Sequence, residues 1–258
     1  MFRKAGLLLL LLLVMTWGCI IQAQANPMPG ANNYLPQVGE VLQYNVYVQN
    51  IFHGAVQTVK ILSRDELNNR PVLNVQLSME TIGLVNRVAK YQETEALTLD
   101  LDGLYPVALH REVQQSDGIT IEEVRFDYAK AVATREVTHP DGNIESSLIK
   151  LPGYIQDAAS LQFFLRKYQF NVGANQLYFY SNGTIASVNF IVTPGKTAIK
   201  LESGLYNRYY QIDDPIDRIT VLVAQDAQRL PFLIRKYTSF GKVEAKLIKV
   251  SNTVITSQ

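Results

Sequence analysis

Strict alternation of apolar and polar residues recurs along most of this chain and constrains its fold more than any other sequence feature. In the first such segment the apolar residues are Leu42, Tyr44, Val46 and Val48. Successive side chains of a β-strand point to opposite faces, so a period of two predicts a strand with one buried and one solvated face. The same period returns at residues 73–79, 105–113, 186–192, 219–223 and 243–247. The sequence therefore predicts a mainly β protein.

Short turn signals separate the alternating segments. They are Asp102-Gly103, Asp117-Gly118, Asp141-Gly142, Asn182-Gly183, Pro194-Gly195 and Gly241. Tight hairpin turns need positive φ at their central positions, which Gly, Asn and Asp adopt most readily. These signals predict consecutive antiparallel strands, and hence a largely antiparallel meandering sheet.

The alternation changes phase between Ile119 and Tyr128. Ile119 and Ile121 begin this segment, whereas Val124 and Phe126 follow them at an odd spacing. The extra residue of a β-bulge produces such a change and bends the strand. We therefore predict a strongly curved sheet that forms an open or partial barrel.

The segment 157–168 departs from the period of two. Its apolar residues are Leu161, Phe164, Leu165 and Tyr168. They follow the spacing i, i+3, i+4, i+7, which is that of one face of an amphipathic helix. Asp157 stands where the side chain of a helix N-cap is expected. This pattern predicts one amphipathic helix packed on the sheet.

Residues 1–25 have the organisation of a secretory signal peptide. Arg3 and Lys4 precede an uncharged run over residues 5–21, and Ala23-Gln24-Ala25 provides a small-residue cleavage site. We expect cleavage before Asn26 and a periplasmic location for the mature protein.

Two alternatives to cleavage place the protein on a membrane. In the first alternative, residues 5–21 are retained as a membrane anchor, although this run is slightly shorter than the about 20 apolar residues that a spanning helix needs. In the second, Cys19 carries a lipid, although Thr16 stands where lipoprotein signals usually have Leu. Cys19 is the single cysteine of the chain, so cleavage before Asn26 leaves neither a disulfide nor a thiolate metal ligand.

The mature chain carries almost no net charge. Without Arg3 and Lys4, the 24 Lys and Arg residues fall to 22, against 23 Asp and Glu. Binding to nucleic acid or to anionic lipid requires clustered positive charge, so we expect neither partner. Residues 26–36 are rich in Pro, Gly and Asn without periodicity and predict a flexible segment, and residues 37–258 predict a single β-rich domain.

Several segments together resemble the DUF3108 family of exported bacterial envelope proteins. They are residues 36–46 with Gly54-Ala55, Leu104-Tyr105-Pro106, the helix over 157–166, residues 226–231 and residues 241–247. This resemblance covers nearly the whole mature chain in the expected order. It implies an envelope location and a β-rich fold, and it implies no established activity.

Four polar residues are the candidate ligand-binding residues, because the resemblance also runs through them: Asp157, Arg166, Asp226 and Arg229. Each also has a structural interpretation, in which Asp157 caps the helix, Arg166 compensates the helix dipole, and the other two stabilise a turn. His53, His110 and His139 have no metal-ligand spacing, and no catalytic motif is found. We expect no enzyme activity, no cofactor and no metal.

Clustered aromatic residues extend the functional hypothesis. They are Tyr178, Phe179, Tyr180, Tyr206, Tyr209 and Tyr210. Adjacent aromatic side chains in a strand point to opposite faces, so some of them can line a groove between the curved sheet and the helix. We expect a non-enzymatic periplasmic protein that binds a hydrophobic or amphipathic envelope molecule. The alternative is a structural or assembly partner that binds another envelope protein through a sheet edge or an aromatic patch.

Overall fold

The computed structural model describes residues 34–239 and 241–252. The predicted signal peptide 1–25, with Cys19, and most of the predicted flexible segment 26–36 lie outside these residues. Tyr34, within that predicted segment, is buried and belongs to the main core. The packed part of the chain therefore includes at least one residue before the predicted domain boundary at residue 37.

Strands dominate the described residues. They are β1 (Glu40–Val48), β2 (Phe52–Leu67), β3 (Arg70–Thr81), β4 (Gln92–Asp100), β5 (Pro106–Gln115), β6 (Gly118–Asp127), β7 (Val132–Thr138), β8 (Ile144–Lys150), β9 (Ile155–Gln156), β10 (Gly173–Ser181), β11 (Thr184–Pro194), β12 (Ile199–Leu201), β13 (Gly204–Tyr206), β14 (Tyr209–Asp214), β15 (Ile219–Ala224), β16 (Pro231–Thr238) and β17 (Gly241–Asn252). The helices are α1 (Gly83–Val88) and α2 (Ala158–Lys167).

Fifteen of these strands form one sheet that does not close. Its order is β8-β7-β6-β5-β4-β3-β2-β1-β17-β16-β15-β14-β11-β10-β9. Two antiparallel meanders therefore meet where β1 pairs with β17, in the middle of the sheet. Among the described strands, only β9 and β10 pair in parallel, with α2 as the crossover between them. The predicted mainly β, largely antiparallel and open sheet is confirmed.

The predicted bulge near Val124 is wrong. β6 keeps an unbroken register with both β5 and β7. The phase changes because Glu122 shares the buried face with Val124 and Phe126, whereas Ile119 and Ile121 lie on the other face. Register shifts occur instead between β1 and both of its neighbours, between β2 and β3, between β4 and β5, and between β15 and β16.

The Asx-Gly pairs all connect consecutive antiparallel strands, as predicted. At the β10–β11 turn, Asn182 and Gly183 both have positive φ, which a tight hairpin requires. Pro194-Gly195 differs, because the chain after β11 leaves the large sheet and forms the two-stranded sheet of β12 and β13. Gly195 packs directly on the ring of Tyr209, and the space for a Cβ is occupied by that ring.

α2 confirms the predicted helix and its cap. The Oδ1 atom of Asp157 accepts hydrogen bonds from the backbone N–H groups of Ala159 (2.9 Å) and Ser160 (2.7 Å). Ser160 Oγ in turn accepts from the N–H of Asp157, at 2.8 Å, which completes a capping box. The short helix α1 was not predicted, because six residues with no buried side chain give no periodic signal.

α2 is buried on more sides than its predicted face. Phe163 and Arg166 are buried together with Phe164 and Leu165, and the helix contacts β4, β9 and β16. The ends of the sheet also approach each other, since Tyr180 of β10 packs edge-on against Phe126 of β6. The sheet thus curls around α2 as a partial barrel.

Candidate functional site

A cavity of about 180 Å³ lies between α2 and the concave face of the sheet. Most of its wall is apolar, with side chains from α2, β3 and β11 that include Leu161, Leu165, Leu77, Met79, Val188 and Phe190. This interior cavity is partly open to solvent. Its volume resembles the ~150 Å³ of an engineered apolar cavity that binds benzene. The predicted groove between sheet and helix is therefore present, with room for part of an apolar chain.

A row of buried charged residues crosses the sheet beside this cavity. Glu95 of β4 lies directly opposite Arg111 of β5, and Arg111 lies directly opposite Glu122 of β6. Glu93 adds a second carboxylate on β4, with its Oε1 atom 4.0 Å from Nη1 of Arg111. The OH group of Tyr91 donates to the other oxygen of Glu93, at 2.6 Å. We call Glu93, Glu95, Arg111 and Glu122 the charged row.

Glu122 is the best-compensated carboxylate of the charged row. It pairs with Arg111 and accepts hydrogen bonds from Nε of Arg135 (2.6 Å) and from the OH of Tyr180 (2.7 Å). Burial alone would raise the pKa of Glu122, but these neighbours hold that pKa below its usual value. Glu122 thus remains an anion that ties β5, β7 and β10 together.

Glu95 and Asp157 have the opposite electrostatics. Burial, reinforced by the charge of Asp157, raises the pKa of Glu95 well above its usual range. Burial also raises the pKa of Asp157 to about 6, although the N–H groups of Ser160 and Ala159 oppose this shift. A carboxyl with a raised pKa in a cavity is typical of functional sites.

Among the residues that line the cavity, three acceptor atoms are buried without a hydrogen bond from the residues that the structure describes. They are Oε1 of Glu95, Oδ2 of Asp157 and Oε1 of Gln162. All three residues line the interior cavity. An unsatisfied buried acceptor costs about 1–3 kcal/mol, so three at one cavity mark a site that a ligand can complete.

The four predicted site residues separate into two places. Asp157 lies at the start of α2 and lines the cavity. Arg166, Asp226 and Arg229 gather at the other end of the helix, away from the charged row. The structure thus brings three of the four together but leaves Asp157 as the one that faces the cavity.

The three residues at the far end of α2 make contacts within the protein. Arg166 pairs with Glu40, donates to the carbonyl oxygen of Gln228 at 2.9 Å, and lies over the ring of Tyr34. These contacts fix the helix against β1 and against the turn after β15.

Asp226 and Arg229 complete this turn. Asp226 Oδ1 accepts from the N–H groups of Gln228 (3.0 Å) and Arg229 (2.9 Å). Arg229 Nη2 donates to the carbonyl oxygen of Tyr168, at 2.7 Å, and lies over Phe170. Their geometry matches the structural interpretation of the sequence.

The predicted aromatic groove is only partly made of the predicted residues. Phe179 and Tyr180 line the cavity, whereas Tyr206 and Tyr209 pack on Phe232 in the main core. Within the described residues, no His, Cys, Asp and Glu side chains form a group that could hold a metal ion. No helix in this part of the chain is long and apolar enough to span a membrane.

Comparisons with known proteins give a family and a fold. A family model described as "Protein of unknown function (DUF3108)" matches residues 43–248. A comparison with curated proteins found no match. A solved structure of a β-barrel-like DUF1849 protein from Brucella abortus has 10% identity and a TM-score of 0.51, covering 84% of this chain and 98% of that chain. A DUF1089 family protein from Pseudomonas aeruginosa has 12% identity and a TM-score of 0.38, covering 69% and 88%.

Proposed function

Since this chain belongs to the DUF3108 family, whose function is unknown, we propose from the interior cavity that it is a non-enzymatic periplasmic protein that binds an amphipathic envelope molecule. The apolar wall takes the tail of this molecule, and the end of the cavity near Glu95, Asp157 and Gln162 takes its polar head. The observation that carries the proposal is this combination of an apolar cavity with unsatisfied acceptors inside one folded core.

The energetic cost of the cavity supports a binding role. An enclosed cavity of 180 Å³ would cost on the order of 4 kcal/mol, at ~24 cal/mol per Å³, and the opening to solvent makes this figure an upper limit. Three unsatisfied acceptors add to that cost. A natural core keeps such a defect where a function requires it, and a bound amphiphile removes both costs.

The test compares dye binding by the purified protein and two tryptophan variants. The uncharged dye N-phenyl-1-naphthylamine should bind the wild type saturably, and Leu161→Trp, which fills the cavity from α2, should weaken this binding at least tenfold. The matched control is Leu148→Trp on β8, a position where the wild-type side chain is 69% exposed. This variant adds a tryptophan away from the cavity and should bind the dye as tightly as the wild type does. Val188→Phe fills the cavity from β11 and serves if Leu161→Trp does not fold.

Two results overturn the proposal. Absence of saturable binding to the folded wild type would remove the carrier function. Consumption of a bound amphiphile during incubation would indicate an enzyme, in which Glu95 and Asp157 act on the ligand. Amino-terminal sequencing of the protein from the periplasm tests the location, and we expect it to start at Asn26.

The alternative function, an assembly partner, depends on β8. This strand is one edge of the sheet, and its Ile144 and Leu148 are exposed. An edge strand offers unpaired backbone groups to another chain. Site-specific cross-linking from Ser146 in β8 to one defined envelope protein, without a bound amphiphile, would favour this function over the carrier.

A further inference from the structure

The charges around the interior cavity are unevenly compensated. Glu122 has the guanidinium groups of both Arg111 and Arg135, and Glu93 has Tyr91 with Arg111 4.0 Å away. Asp157 uses its Oδ1 atom for the helix cap. Arg111 lies opposite Glu95 and its charge lowers the pKa of both Glu95 and Asp157. Its salt bridges are nevertheless with Glu93 and Glu122, and among the described residues none reaches Glu95 or Asp157.

The third unsatisfied acceptor of the cavity restricts which head group can bind there. Oε1 of Gln162, five residues beyond Asp157 in the chain, also lacks a donor from the described residues. Three buried acceptors at one cavity call for a head group with several N–H or O–H donors. A carboxylate or phosphate head that carries no ammonium would set its own acceptors against them, which is unfavourable in a poorly solvated site.

The other cation that lines the cavity does not change this balance. Lys236 of β16 has the carboxylates of Asp217 and Asp214 as its charged neighbours. The charged neighbours of Lys236 thus do not include Glu95 or Asp157. The region around Glu95 and Asp157 keeps an excess of acceptors.

We propose that the head group of the bound amphiphile is a primary ammonium, whose three N–H donors satisfy Glu95 Oε1, Asp157 Oδ2 and Gln162 Oε1. This inference rests on the proposed binding function and narrows it to amine-bearing amphiphiles. Burial disfavours the ionised forms of Glu95 and Asp157, and a bound ammonium favours them. Its alkyl chain lies along the apolar wall formed by Leu161, Leu165 and Phe190.

The experiment measures dye displacement by octylamine, octanol and octanoate, which share a tail and differ in the head group. Octylamine should bind at least tenfold more tightly than octanoate, with octanol between them. Asp157→Asn keeps an oxygen for the helix cap but removes the charge, so it should reduce the preference for octylamine over octanoate at least tenfold. Glu95→Gln should act in the same direction and provides the test if Asp157→Asn does not fold.

The outcomes separate this inference from the proposed function. Octanoate binding as tightly as octylamine, or an unchanged preference in folded Asp157→Asn and Glu95→Gln, would overturn the ammonium head and leave amphiphile binding intact. Failure of all three compounds to displace the dye would overturn both. Lysophosphatidylethanolamine and lysophosphatidylglycerol then identify the source of the amine, because tighter binding of the former indicates a phospholipid and binding of octylamine alone indicates a free alkylamine.

Discussion

Arg166, in the last turn of α2, donates hydrogen bonds to both carboxylate oxygens of Glu40 in β1. The Arg166 side chain is only 2% exposed, and the two residues are 126 positions apart in the sequence. Glu40 is the first residue of β1, a strand in the middle of the sheet, so this ion pair joins the end of the helix to the end of a central strand. It thereby holds the position of α2 that forms one wall of the cavity.

Arg166→Ala should lower the free energy of unfolding by about 3–5 kcal/mol, because it leaves the carboxylate of Glu40 buried without its cation. Urea denaturation of the purified protein measures this change. Lys167→Ala is the matched control, since Lys167 is next in the helix and donates only to the exposed carbonyl of Asp102. A loss below 1 kcal/mol for Arg166→Ala would show that the pair does not hold the helix.

The cap oxygen of Asp157 and its charge should have separable effects on the free energy of unfolding. Asp157→Asn and Asp157→Ala both remove the charge, but only the alanine loses the oxygen that accepts from Ala159 and Ser160. Asp157→Ala should therefore be less stable than Asp157→Asn by about 1 kcal/mol, the usual value of an N-cap. Equal urea midpoints with equal slopes would exclude a stabilising cap.

Tyr180→Phe tests the contact between the two ends of the sheet. The lost hydrogen bond is to the charged carboxylate of Glu122, so we expect a loss of about 1.5–3 kcal/mol in the free energy of unfolding. Tyr237→Phe is the control, because Tyr237 is 42% exposed and its change should stay within about 0.5 kcal/mol. Similar losses in both variants would argue against a role for the Glu122 contact.

The fold was largely predictable because its main signal is local. Alternation assigns the buried faces of β1, β3 and β17 from neighbouring residues, and Asx-Gly pairs place the hairpins. The spacing of Leu161, Phe164 and Leu165 likewise predicts α2. The pairing of β1 with β17 and the burial of Arg166 depend on partners far along the chain, and no local pattern encodes them.

The charged row was missed because polar residues were assigned to the solvated face. Leu97 and Leu99 define the inward face of β4, and continuing their period backwards places Glu95 and Glu93 on the same face. The same extension from Leu109 reaches Arg111, and from Val124 it reaches Glu122. The phase change interpreted as a bulge was therefore the signal of a buried charge.

The free energy of unfolding should fall as the pH rises through the range in which Asp157 ionises. Burial raises the pKa of Asp157 from 3.8 to about 6, and burial also raises the pKa of Glu95. Between pH 3.8 and about pH 6, Asp157 keeps its proton in the folded protein but loses it in the unfolded chain, so rising pH favours unfolding. This stability is fully present below the unfolded pKa of 3.8 and is lost above about pH 6.

Asp157→Asn tests this effect because it removes the titrating group and keeps an acceptor for the cap. It also removes the charge that helps to raise the pKa of Glu95, which lowers the pH dependence in the same direction. Compared with the wild type, its free energy of unfolding should depend less on pH between pH 4 and pH 7. At pH 7 the variant should be more stable by at most about 3 kcal/mol, since one unit of pKa shift corresponds to ~1.4 kcal/mol. Glu122 contributes with the opposite sign, because its pKa is lowered and its stabilisation is lost only as the pH falls below the usual range of a glutamate. Glu122 is present in both proteins, so its contribution cancels when the free energies of unfolding of wild type and variant, measured by urea denaturation at each pH, are subtracted. Parallel pH profiles for the two proteins would show that burial does not raise the pKa of Asp157.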